Sequence, residues 1–230
     1  MLDQTTAQER LLRVHERIRA ACARCGRDPA QVTLVAVSKT HEAAAVAAFH
    51  QAGQSLFGES YVQEALPKLE SLASLPLRWH FIGRLQKNKV RHVAGRFELI
   101  HSVDSLDLAA ALHQKCAAQN LSQQILLQVN LAGEAAKAGC APSQALPLAL
   151  AIAGMDALKL LGIMLMPPWD ANPEANRGLF ARARQLKDQL AGQLHRELPH
   201  LSMGMSHDME QAIEEGATLV RVGTDLFGAR

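Results

Sequence analysis

Lys39 closes the stretch Val32–Lys39, an apolar, β-branched run long enough for one buried strand. Alternation puts Val35, Val37 and Lys39 on one side of that strand and Leu34, Ala36 and Ser38 on the other. An ammonium in this position needs water, a partner or a covalent adduct. Two readings follow. Lys39 either snorkels from the strand end to water or a carboxylate, or it is a pocketed amine of lowered pKa, able to form a Schiff base. Far along the chain, Arg221 and Gly223 share one side of Thr218–Gly223, opposite Val220 and Val222. A guanidinium there needs an acceptor, either a carboxylate or the ring nitrogen of a cofactor. Two glycine-bearing segments accompany it. In Ser202–Ser206, Ser206 precedes a helix expected from about Asp208 and can cap it, offering a hydroxyl at its positive end. Gly223-Thr224 offers unobstructed backbone N–H groups and a second hydroxyl. Gly204 and Gly223 either make tight turns only, or these segments cradle a phosphate.

The elements that must position these groups alternate along the chain. Strands are expected at Val32–Lys39, Ser55–Gly58, Arg78–Ile82, Phe97–His101, Gln123–Val129, Leu158–Met164, Leu201–Met203 and Thr218–Val222. Helices are expected between them, at Glu42–Ala52, Tyr61–Leu75 (with Pro67 its weak point), Gln86–Val93, Ser105–Gln119, Pro142–Ala153, Asn172–Leu194 and Asp208–Glu215. A further helix near Thr6–Cys25 comes first. Eight β/α units predict an α/β fold, a single-domain (β/α)8 TIM barrel over residues 1–230, with an open doubly wound sheet as the alternative. Neither a repeat nor a Pro/Gly/Ser-rich linker divides it. In such a barrel the strand C-termini build the site, and the loops after strands 7 and 8 often hold phosphate. Strands 1 and 8 are then neighbours. Lys39 for an aldehyde, Arg221 for a ring nitrogen and Ser206, Gly223 and Thr224 for a phosphate would together describe one bound pyridoxal 5'-phosphate (PLP).

Bulk properties narrow the classes. A net charge of +2 gives no push toward nucleic acid or membrane, and 4% aromatic residues disfavour a base-stacking platform. No apolar run is long enough for a bilayer, and Met1–Gln4 does not open a secretory signal. Four cysteines make no disulfide framework, so the cytoplasm is the expected compartment.

Other chemistry-bearing residues have plainer readings. Cys22 and Cys25 form a C-x-x-C, but at a helix end, as two cysteines of one helix rather than a redox pair. Arg84, Lys87, Lys89, Arg91 and His92 read as a solvated basic face rather than a nucleic-acid patch. His80 and His101 end strands and either could line the barrel mouth; a hydrogen-bonded structural role is the alternative. Lys137 is a candidate second amine after strand 5, against an exposed surface lysine. Tyr61, the only tyrosine, is assigned to a helix start and not to the mouth.

Seven segments resemble the pyridoxal phosphate homeostasis proteins, which are themselves similar to the N-terminal barrel of alanine racemase. They are Leu34–Thr40, Phe57–Glu64, Trp79–Lys89, Val129–Gly139, Gly162–Pro167, Leu201–Asp208 and Val220–Arg230, and they run in order over nearly the whole chain. The resemblance implies PLP held as a Schiff base on Lys39, phosphate contacts from Ser206, Gly223 and Thr224, and Arg221 beside the ring nitrogen. Ser60, His80 and Met203 are further candidates for cofactor contact, and no metal is implied. It also implies a monomeric, non-catalytic carrier that buffers PLP, with PLP-dependent apo-enzymes as partners. The family usually has asparagine where Ser60 stands, often a lysine-proline pair where His41-Glu42 stand, and a longer tail than one ending at Arg230. The alternative is an amino-acid racemase of the same barrel type. Racemisation needs a base on each face of the substrate carbon. Lys39 can serve one, and no side chain is an evident second.

Overall fold

The computed structural model describes residues 3–134 and 137–228. Met1, Leu2 and Arg230, and part of the matching stretch 129–139, lie outside them. Eight parallel strands close into a barrel in chain order, β1-β2-β3-β4-β5-β6-β7-β8. They are β1 (Thr33–Val37), β2 (Leu56–Glu59), β3 (Arg78–Phe81), β4 (Leu99–Val103), β5 (Gln123–Val129), β6 (Leu158–Leu165), β7 (His200–Met205) and β8 (Leu219–Val222). The pairing of β8 with β1 excludes the open doubly wound sheet.

Helix α1 (Gln4–Arg24) precedes the barrel, opened by Asp3, whose side chain accepts from the Thr6 N–H at 2.8 Å. Its buried stripe includes Leu11, Val14, Ile18 and Ala21, the helical spacing the sequence shows. The outer ring continues with α2 (Ala43–Gln51), α3 (Val62–Ser71), α4 (Val90–Val93), α5 (Leu106–Ala117), α6 (Pro142–Ala153), α7 (Arg177–Leu194), α8 (Met209–Glu214) and α9 (Thr224–Phe227). α3 carries Pro67 inside it. The expected helix at Gln86–Val93 is a 3-10 turn, Lys87–Lys89, leading into α4, and that at Asn172–Leu194 starts as a 3-10 turn before α7. The short α9 was not expected: four residues leave too little periodicity to read.

Two layers fill the molecule. Outward-facing strand residues pack against the helices in one large core. Inside the barrel, Val35, Leu56, Leu99, Leu126, Met164 and Leu219 form a separate apolar cluster. Three boundaries differ from expectation where the site is built. β1 ends at Val37, two residues before Lys39, and Thr40 takes a left-handed φ of 66°. β7 runs on to Met205, through Gly204 at φ 87°. A Cβ on Gly204 would lie 2.6 Å from that of Ala212, so this glycine serves the close packing of β7 on α8. β4 continues two residues past His101, to Val103.

Candidate cofactor site at the barrel mouth

Above the inner apolar cluster the inward-facing rows turn polar and then open. On β8 the row is Leu219, Arg221, Gly223; on β1 and the turn after it, Val35, Val37, Lys39. A cavity of about 690 Å³ lies at this end, lined by Lys39, Ser60, Ser206, Arg221, Gly223 and Thr224 among others. The strand ends therefore bring together the groups expected from sequence to meet.

Arg221 forms the cavity floor. It is 4% exposed, and its guanidinium donates to Ser202 Oγ at 2.6 Å and to the Leu165 carbonyl at 3.0 Å. Among the described residues no carboxylate lies within 4.0 Å of it, so the carboxylate-pair reading is not met. Burial lowers its pKa to about 10, which leaves it a cation at neutral pH. The guanidinium can only donate, so Ser202 Oγ accepts from it. Ser202 Oγ lies 2.9 Å from His101 Nδ1, and His101 Nε2 lies 3.0 Å from His80 Nδ1. Arg221, Ser202, His101 and His80 thus form one buried hydrogen-bonded chain. Both rings are buried and stay neutral: burial holds His80 down at about 4 and His101 well below the usual range.

This corrects His80 as a candidate for cofactor contact and leaves it the hydrogen-bonded structural role. Its ring lies inside the barrel under Arg221, and Ile82, two residues on, lines the cavity instead. Met203 is corrected too. It is fully buried in the outer core, while its neighbours Ser202 and Met205 face Arg221 and the cavity. Ser206 lines the cavity but does not cap α8, whose N-cap is Asp208. Its hydroxyl instead accepts from the Asp225 N–H at 3.4 Å, joining the turn after β7 to α9.

Three residues given plainer readings also line the cavity. They are Lys137, ion-paired with Glu134 at 3.1 Å, Tyr61, about half exposed, and Arg84. Met166 and Trp169, the latter 79% exposed and stacked on His207, complete the rim. Cys22 is buried in the core at the end of α1, where burial pushes its thiol up, and Cys25 caps that helix.

The turn carrying Lys39 is anchored from outside the barrel. Ser38 and Glu59 point outward at the ends of β1 and β2, and Ser38 Oγ donates to Glu59 Oε1 at 2.7 Å. Lys68, on α3, donates to that same oxygen at 2.5 Å and to the Ser38 carbonyl at 2.8 Å. Glu59 is fully buried and Lys68 7% exposed; burial pushes the Glu59 carboxyl up. One residue beyond Lys39, the Thr40 N–H donates to Glu64 Oε2 at 3.0 Å. Lys39 is thus bracketed by residues with fixed backbones.

The family model for the alanine racemase N-terminal domain matches residues 10–230. A pyridoxal phosphate homeostasis protein of Pseudomonas aeruginosa is 49% identical over 226 residues, covering 98% of this chain and 96% of that one. The protein of that name from Aquifex aeolicus is 46% identical over 224 residues, covering 97% and 98%. The chain belongs to the pyridoxal phosphate homeostasis protein family. Among solved structures, the family member PipY of Synechococcus elongatus, with PLP bound, superposes with a TM-score of 0.86 at 38% identity, covering 96% of this chain and 100% of that one. Alanine racemase of Corynebacterium glutamicum superposes at 0.71 with 15% identity, a likeness of fold, over 100% of this chain and 63% of that one.

Sequence reasoning missed two contributors to this homeostasis-protein site. Glu59 and Lys68 meet only because β2 and α3 pack side by side, and nothing in their spacing announces it. The second is Arg17 of α1, the middle of a row of arginines on that helix. Arg10, Arg17 and Arg24 recur every seven residues, a legible signal for one helix face.

Proposed function

We propose that this chain binds PLP in the barrel-mouth cavity and serves PLP homeostasis, as its relatives' name implies. In this reading residues 1–230 act as one PLP-binding barrel domain. The observation that carries it is Arg221, a buried cation without a carboxylate partner among the described residues, in a cavity also lined by Lys39. That donor set fits PLP. Arg221 presents a donor to a ring nitrogen, Ser206, Gly223 and Thr224 suit a phosphate, and Lys39 is the amine for an aldehyde. PLP, when bound, supplies an aldehyde that an amine captures reversibly and a ring that withdraws electrons. A permanent cation beside the ring nitrogen leaves that nitrogen unprotonated and the ring a weaker electron sink. This favours holding over turnover, and the reading is a non-catalytic carrier. It acts as a cytoplasmic monomer that passes PLP to apo-enzymes and uses neither nucleic acid nor membrane. Among the described residues no helix is long and apolar enough to cross a membrane.

One observation favours a second reading, a racemase. Tyr61 lines the same cavity as Lys39 and brings a phenol that is a candidate for the second base. Its exposure opens the cavity to water, which speaks against efficient proton transfer.

The test is the visible spectrum of the protein after incubation with PLP, then borohydride reduction and peptide mapping. The expected result is a pyridoxyl adduct on Lys39, abolished in Lys39→Ala. An adduct spread over surface lysines overturns the reading. Lys39-dependent exchange of an amino acid's Cα proton with solvent deuterium would replace the carrier by the racemase.

A further inference from the structure

Helix α1 lies outside the eight β/α units, yet one of its side chains reaches both segments assigned to the phosphate. Arg17 Nε and Nη2 donate to Glu210 Oε1 at 2.6 Å and Oε2 at 2.8 Å, a bidentate pair with α8. Nη2 also donates to the Ser206 carbonyl at 2.8 Å. Nη1 pairs with Asp225, the second residue of α9. One guanidinium therefore holds the turn after β7 and the start of α9 at once. About two helical turns on either side of that point the row continues. Arg10 donates to the Leu226 carbonyl at 2.9 Å, at the end of α9, whereas Arg24 pairs with Glu214 at 2.6 Å, away from the cavity. Arg17 is about a third exposed, so water reaches the junction.

We propose that α1 is a latch on the phosphate end of the cavity, with Arg17 the positioning residue that sets how long the phosphate is held. This rests on the reading of the cavity as a PLP site with its phosphate at Ser206, Gly223 and Thr224. The reason is mechanical. Ser206 and Thr224 stand on separate β/α units, joined across the cavity end by the hydrogen bond from the Asp225 N–H to Ser206 Oγ. A phosphate needs donors from both at a fixed spacing. Arg17 fixes that spacing from behind, without touching the ligand. Lifting α1 would loosen the phosphate and leave the Lys39 amine where it was. A chain that must both keep and surrender a cofactor can thus release it with its covalent attachment chemistry unchanged.

The experiment compares wild type, Arg17→Met, Arg17→Lys and Arg24→Met. Each is loaded with PLP or with pyridoxal, which lacks the phosphate, and release is followed by the loss of visible absorbance on dilution into hydroxylamine. Arg17→Met should release PLP about tenfold faster than wild type, the loss of a few charge-assisted hydrogen bonds. Pyridoxal release should change little. Arg17→Lys keeps charge and stem but cannot span the acceptors, and it should fall between the two. Arg24→Met, a cut of the same helix row away from the cavity, should match wild type. Equal acceleration of PLP and pyridoxal, or equal effects of Arg17→Met and Arg24→Met, overturns the latch. A wild type that forms no Lys39 adduct overturns the PLP reading instead. In that case amide hydrogen exchange on the ligand-free chains decides the latch alone. Arg17→Met must speed exchange at 206–208 and 223–227 more than Arg24→Met does; equal exchange overturns it.

Discussion

Val35 on β1 stands opposite Arg221 on β8 in the register that closes the barrel. Both side chains point inward, so the row leading to Lys39 rises beside the row leading to Gly223. Residues almost two hundred positions apart in sequence thereby share one cavity. The same register places the guanidinium deep enough to be desolvated, with a serine and a carbonyl in place of a counter-ion.

A buried cation without a partner carboxylate is costly to desolvate. Arg221→Met should therefore leave the ligand-free chain at least as stable as wild type in urea, while PLP release speeds up. A stability loss of roughly 3 kcal/mol or more, near the cost of breaking a buried network, would make Arg221 structural instead.

The phosphate assignment separates by ligand. Ser206→Ala and Thr224→Val each remove one hydroxyl from the cavity lining. Each should weaken retention of PLP by roughly fivefold, about one hydrogen bond, and hardly change that of pyridoxal. Parallel losses for both ligands in a competition dialysis would count against the assignment.

Glu59→Gln should be among the most damaging single changes beneath the site. It strands the Lys68 ammonium in the core, which for buried pairs costs about 3–5 kcal/mol. The double variant Glu59→Leu/Lys68→Met should recover most of that. A double-mutant cycle in urea reads the coupling directly, and additive single effects would deny it.

Acid should act through the histidine pair. The folded pKa of His80 is held at about 4 against an ordinary value of 6.5. Between those values the unfolded chain binds a proton that the folded chain refuses. The stability contributed by neutral His80 is thus complete above pH 6.5 and lost as the pH falls toward 4. The slope is up to about 1.4 kcal/mol per pH unit from this residue. Urea titrations at pH 7, 6 and 5 should show it, and His80→Gln should flatten the curve. An unchanged slope in that variant would mean the ring is already charged.

Much of the site was legible because strand alternation is local. The inward positions of Val35 and Arg221 follow from counting by two along their strands, and Lys39, in the turn beyond β1, lines the cavity with Arg221. The same counting leaves His80 open between the mouth and a structural role. Counting by two gives the inward face but not the height within the barrel, which the pairing of β3 with β4 sets. Met203 differs in that alternation itself rules it out: Ser202 points inward, so Leu201 and Met203 on either side of it face the outer core. Lys137 and Tyr61 were set aside because their segments follow strands or open helices, and such segments have no periodicity to show which way they fold.

By itself the sequence determined the eightfold alternation of strand and helix, the barrel that follows from it, and the candidate residues that the barrel gathers at its mouth. These depend on patterns repeated over a few residues, which local backbone geometry imposes. Only the tertiary structure decided what holds those residues in place: Ser202 and the two histidines behind Arg221, Glu59 and Lys68 under the Lys39 turn, and Arg17 across the turn after β7 and the start of α9. Each joins elements remote in sequence, and a hydrogen bond requires about 3 Å and the right direction. Such precision exists only once every strand register and helix packing is fixed together.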